Sequence, residues 1–302
     1  GLRSRATAVD IERDAPDQKP NLWLVAVGAS MHRNPAYILG FPADDADQIA
    51  TLPYRPHTTP FFKKQFGRLN MLRLMNEEVT LPKLRHIQGL VSHAEVSDVL
   101  VLFMAGHGVM DKDFNLFFGT YGFDRRYPEQ RGLALSELRA ILRGCPARRK
   151  LILLDLRYAI GLDERGSFER SQPLTGVNPG ELNGAVKVFR FGRKPGSPQS
   201  TRAQEEMARV RLVHRDFVEG LARGTGAVVI SACADSEYSV ESKFGGNGTF
   251  THALLECLRD FRGDPGGDRR VRVGELIDYL PSRVRELTGG RQKVFVARPL
   301  DV

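Results

Sequence analysis

The stretch that most constrains this chain is Val99-Leu100-Val101-Leu102-Phe103-Met104-Ala105, an unbroken apolar run that stops at Gly106-His107-Gly108. With no polar alternation it reads as a strand buried on both faces, as in a parallel sheet covered by helices on both sides. His107 then falls at the strand's carboxyl end. In open parallel sheets that edge is where ligands and chemistry collect, and the flanking glycines allow close approach to the imidazole. A lone Gly-His-Gly would be an ordinary loop histidine. A second buried run, Leu151-Ile152-Leu153-Leu154, turns abruptly polar at Asp155-Leu156-Arg157-Tyr158 and gives the first a partner.

Other segments repeat the strand and helix rhythm. Residues 1–20 are polar, carry Pro16 and Pro20, and read as a linker or arm. Asn21 to Gly28 is a first buried strand, and Ala43 to Ala50 a helix with Asp44, Asp45 and Asp47 in its early turns. Acids there suit the helix dipole, so the reading for these three is a solvated face rather than a metal site. Leu69 to Leu74 is a second strand. Thr80 caps a helix that has Pro82 in its first turn and runs to about Ser92. Phe114 to Gly119 is a short extra strand, and Ser136 opens a helix closed by Gly144 and Pro146. After the Leu151 strand, residues 163–202 are rich in glycine, proline and basic residues and read as a long exposed loop. A helix from Ala203 to Arg223, a fifth strand at Ala227 to Ser231 and a helix after Gly248 follow. Glu275 to Leu287 is a last helix, with a kink at Pro281, before an edge strand at Lys293 to Val296. This spacing predicts an α/β fold, a doubly wound, mostly parallel sheet of six strands with helices on both faces. The first strand should lie between the second and third, with the fourth, fifth and sixth beyond.

Composition narrows the function classes. At 41% hydrophobic and 26% charged the 302 residues can bury a sizeable core. No apolar run is long enough to span a membrane and no signal-peptide core follows Gly1, so the expectation is a soluble chain without a membrane partner. Gly1 in place of an initiator methionine reads as the start of a fragment or a trimmed product with partner domains upstream. Cys145, Cys233 and Cys257 have neither metal-ligand spacing nor a disulfide framework, which implies a reducing cytoplasm, no metal and no cofactor. The net charge of +8 is dispersed, with no nucleic-acid motif and no interleaved aromatics, so no nucleic-acid partner is expected.

The motifs "LFMAGHG" and "LILLDLRYAIG", with "VVISACADSEYSVE" and "GTFTHALLECL" downstream, resemble the caspase and metacaspase family of cysteine proteases, in particular bacterial caspase-like domains. The resemblance runs from Asn21 to Ala297 and implies a caspase-like sandwich. It divides residues 21–302 into a large-subunit-like half (21–162), an intersubunit-type loop (163–202) and a small-subunit-like half (203–302). In the family the histidine of this strand is the general base, the backbone N–H after it (here Gly108) serves the oxyanion, and a cysteine two residues after the aspartate of the next strand is the nucleophile. Here that position is Arg157. The resemblance also implies that Asp155 and Asp235 line a pocket for an arginine or lysine before the scissile bond, although Asp155 reads equally well as a loop-capping carboxylate.

A thiol protease needs a nucleophile, and a guanidinium, protonated at any physiological pH, cannot be one. Cys233, in a segment where family members often carry a non-catalytic cysteine, reads as a small buried hydrophobe. Cys145 and Cys257 lie too far along their helices to reach His107. Two functions follow from the resemblance. The first is a pseudoprotease that binds a protein or peptide, or its own upstream domains, as a scaffold or regulator in signalling. The alternative is an active arginine- or lysine-directed endopeptidase. The sequence leaves any dependence on calcium open. An unpaired guanidinium at a buried strand end is costly, so Arg157 is expected to turn toward Asp155 and Asp235.

Overall fold

The computed structural model describes residues 18–159, 198–232 and 246–299, with side chains for all of these except 158–159 and 198–207. The first half runs β1 (Leu22–Gly28), α1 (Pro42–Thr51), α2 (Thr59–Gln65), β2 (Leu69–Met75), α3 (Leu81–Val91), β3 (Val99–Met110) and β4 (Leu116–Phe118). It continues with α4 (Pro128–Arg131), β5 (Leu133–Ala134), α5 (Leu135–Arg143) and β6 (Arg149–Ala159). The second half contributes α6 (Pro198–Thr225), β7 (Ala227–Ser231), α7 (Thr249–Arg259), α8 (Val273–Leu287) and β8 (Phe295–Ala297). The linker reading for residues 1–20 and the loop reading for 163–202 fall almost wholly outside the described residues.

The main sheet has the order β2-β1-β3-β6-β7-β8, with β4 and β5 attached to β3 as an antiparallel extension, eight strands in all. The expected strand order is observed; β5 is an addition, two residues long, that the sequence reading did not contain. β1, β2, β3, β6 and β7 run parallel, and only β8 pairs antiparallel on the main path.

Period-two alternation sorts the strand side chains onto two faces. Val25, Val27, Leu100, Leu102, Met104, Ile152 and Leu154 meet apolar residues of α3, α5 and α6, among them Leu84, Ile87, Leu138 and Val218. Leu24, Ala26, Phe103, Ala105, Leu153 and Ile230 face α1, α7 and α8 through Ile49, Phe250, Leu254 and Leu280. Each fully buried leucine or isoleucine contributes about 1.5–3 kcal/mol, so two such layers hold the sheet between them. Thr80 sits at the N-cap position of α3 with extended backbone, but its side chain makes no capping bond.

The strands around His107 run further than the glycines suggest. β3 continues to Met110 because its parallel pairing with β6 persists to Val109↔Ala159 while β4 pairs along its other side from Gly108↔Phe118. β1 stops earlier, at Gly28 opposite Ala105. His107 is therefore not at the end of its own strand but just beyond the end of β1, where a gap opens for loops. Gly106 passes this point with φ +154°, and a Cβ there would meet the Phe118 ring at 3.0 Å.

At the end of β1, Gly28 lets α1 sit directly against the strand. A Cβ at Gly28 would overlap the Pro42 carbonyl oxygen and lie 2.8 Å from Ala43 Cα. Both obstacles are backbone, so relief requires moving the helix. Gly28→Ala should destabilise the protein by about 3 kcal/mol or more, the upper end of the overpacking range. Urea unfolding would check this, and an unchanged midpoint would mean that α1 is free to shift.

Candidate functional site

Two loops fill the gap above β1. Ala29–Phe41 leaves β1, and Gly119–Tyr127 leaves β4; Arg33 N–H donates to Tyr121 O (2.9 Å), and His32 Nδ1–H donates to Thr120 O (3.0 Å). Ser30 and Met31 N–H groups both donate to Asn76 Oδ1, and Ser30 Oγ accepts from Ala43 N–H, tying the first loop to the start of α1.

His107 is 5% exposed and has both ring nitrogens engaged. Nε2–H donates to Tyr37 O at 2.7 Å, and Nδ1 accepts from Arg125 Nη2–H at 2.8 Å. A guanidinium only donates, so the lone pair on Nδ1 fixes the tautomer as Nε2–H. The Arg125 guanidinium also lies over the Tyr37 ring, 4.8 Å from its centroid. The His32 ring stands 5.1 Å from His107, and Phe123 closes the apolar side. Burial holds the His107 imidazole well below its usual range, and the cation of Arg125 adds to the effect. Burial also pushes His32 down to about 4 and Arg125 down to about 9.

Arg157 stands directly opposite His107 in the β3–β6 pairing, as the sequence reading anticipated. Asp155 and Arg157, two residues apart on one strand, share the sheet face covered by α1 and α7, and both are buried. They converge there with a residue that the sequence reading left in solvent. Asp45 of α1 is 1% exposed, and its carboxylate accepts from Asn247 Nδ2–H (2.8 Å) and Gly248 N–H (3.1 Å) at the start of α7. A Cβ at Gly248 would lie 3.0 Å from Asp45 Oδ2, 3.3 Å from Asp155 Oδ2 and 3.8 Å from Arg157 Nη2. Glycine at this position leaves room for three ionisable groups around one point. Burial and the neighbouring Asp155 raise the Asp45 carboxyl to about 8, against the opposing pull of Asn247 and Arg157.

Asp45 was legible as an exception. Pro42, Ala46 and Ile49 form a buried stripe at spacings of three and four, and Asp45 falls inside it. Arg125, in Asp124-Arg125-Arg126-Tyr127, carries no such signal. Gly108 lies in mid-strand, paired with Tyr158 on β6 and Phe118 on β4. Asp235 and Cys233 are outside the described residues. Cys145 and Cys257 are buried, and burial raises both thiols, Cys257 to about 12, the opposite of what a nucleophile needs. Among the described residues no group of three or more His, Cys, Asp or Glu is placed to hold a metal, and no helix is long and apolar enough to cross a membrane.

These shifts set a stability profile. His32 and His214, both lowered to about 4, and His107 take up protons in the unfolded chain below 6.5 that the folded chain refuses. Stability must therefore fall as pH drops through that window. Asp45 works in reverse: the folded carboxyl keeps its proton up to about 8, the unfolded one loses it near 3.8, so stability falls as pH rises between them. These three histidines outweigh one carboxyl below 6.5, and of these four groups only Asp45 acts between 6.5 and 8. Urea midpoints should peak at about pH 6.5–7, and Asp45→Asn should flatten the alkaline limb and steepen the acid one. An alkaline limb unchanged by Asp45→Asn would mean that Asp45 is ionised throughout.

Residues 72–295 match the family model for the caspase domain of the C14 peptidases. Among solved structures, a Geobacter sulfurreducens protein is 16% identical with a TM-score of 0.56, covering 93% of this chain and 95% of its own. Caspase-1 from Spodoptera frugiperda is 13% identical with a TM-score of 0.44, covering 97% and 94%. Its pro-form is 11% identical with a TM-score of 0.45, covering 98% and 96%. No curated protein matches the sequence significantly. The family match spans well over half of the sequence and includes both strands that carry His107 and Arg157, and on that ground this chain belongs to the caspase-domain family.

Proposed function

We propose that this caspase domain is a pseudoprotease, a module that binds a protein or peptide partner, or domains fused to it, without cutting. The observation that carries this reading is the pairing of Arg157 with His107 across β3 and β6, which puts a guanidinium where the base would need a thiol. Asp45 and Asp155 add to it. Two buried carboxyl groups from separate elements are tolerated where a cation lies among them, and Arg157 is that cation. Arg157 thus acts as an internal occupant of an acidic pocket. Gly108 keeps its place in the fold without an oxyanion to serve. In this reading the module works in the cytoplasm as the binding or scaffolding part of a signalling protein.

A fluorogenic peptide with arginine before the cleavage point should not be hydrolysed. Hydrolysis abolished by iodoacetamide would establish the active endopeptidase instead. Calorimetric titration tests the pocket: an arginine-ended peptide should bind Arg157→Ala and not the unmodified protein. Equal affinity for both would remove the internal-occupant reading. Arg157→Ala should also lower stability by about 3–5 kcal/mol, the cost of stranding a buried charge, and millimolar methylguanidinium should restore part of the loss by binding the folded state.

A further inference from the structure

We infer that Arg125 is a positioning residue for His107, holding the imidazole as the neutral Nε2–H tautomer and occupying the lone pair that a base would use. This deepens the pseudoprotease reading and rests on it for the identity of His107 as the base position. The contact is a closed triangle: Tyr37 accepts from His107 through its carbonyl at 2.7 Å, Arg125 donates to His107 at 2.8 Å, and the guanidinium stacks on the Tyr37 ring at 4.8 Å. Arg125 and His107 are each 5% exposed and Tyr37 is 6% exposed, so water does not compete for these bonds. Among the described residues, the groups facing the imidazole agree with a neutral ring. The His32 ring is tilted against it, Phe123 is apolar, and Arg125 and Arg157 are the cations that flank it. Arg125, although lowered to about 9, remains a cation and a donor at neutral pH.

A general base acts through a lone pair directed at the proton it removes. On His107 one nitrogen carries its proton to Tyr37, and the other already receives one from Arg125. The site is therefore disabled at two residues, not one. A cysteine introduced at position 157 would face an imidazole with nothing to accept its proton.

Nitrogen-15 NMR of the unmodified protein tests the geometry without any substitution. His107 should show the Nε2–H tautomer and no titration between about pH 5.5 and 8; a proton on Nδ1 would overturn the proposal. Arg125→Met keeps an unbranched side chain against Tyr37 without a donor, and should move the His107 nitrogen shifts. Arg125→Lys, which restores a cationic donor, should return them toward the original; failure to do so would make the effect one of packing and overturn the assignment. In the Arg157→Cys background, adding Arg125→Met should speed iodoacetamide alkylation of the new thiol at pH 6.5 by about tenfold or more, as a thiol with an available imidazole gains thiolate. No gain would overturn it as well. The pseudoprotease reading fails separately, by peptide cleavage in the unmodified protein.

Discussion

The whole arrangement depends on one strand pair outlasting its neighbour. β3 and β6 stay hydrogen-bonded past the residue at which β1 ends, so the sheet narrows in a step. On the wide side of the step, side chains meet helices and form an apolar core. On the narrow side they meet loops, whose backbone carbonyls and polar side chains have to be satisfied. His107 and Arg157 lie beyond the step and Asp155 at it, level with Ala105 and Gly28, whereas Phe103 and Leu153, deeper on the wide side, are packed in the apolar core.

Charges collected at the step are costly to bury, and their placement reflects that cost. Asp45 is held by the Asn247 amide and the Gly248 N–H and keeps its own proton; Asp155 and Arg157 bring opposite charges to the same point. His32 and His107 remain neutral. A site built for chemistry separates proton donors from acceptors and leaves one lone pair waiting. Here both ring nitrogens of His107 are engaged, by Tyr37 and Arg125, within the caspase framework.

Much of the framework could be read from the sequence because parallel strands and amphipathic helices write their burial into residue order. The apolar runs at Val99 and Leu151 marked two adjacent strands, and the polar residues after them marked the edge where the candidate site lies. Where reading failed, the deciding contacts were distant in sequence or backbone in character. His107 was placed at a strand end because the apolar run stops there; pairing with β4 carried β3 onward. Asp45 was assigned to solvent from its position in the first helical turn, a local rule overridden by Asn247 and Gly248. Arg125 and the Tyr37 carbonyl leave no trace in any local pattern, since a carbonyl has no residue type and one arginine among several looks alike.

The bonds from Asp45 to Asn247 and Gly248 join residues 202 and 203 positions apart, among the longest loops this chain closes. While the protein is being made, most of the sheet and the helices on one face can assemble before Gly248 has left the ribosome. Until then Asp45 has no amide to hold it. The pocket is therefore a late product of folding, and a chain stopped short of α7 would carry the family's strand pair with its acids still in water.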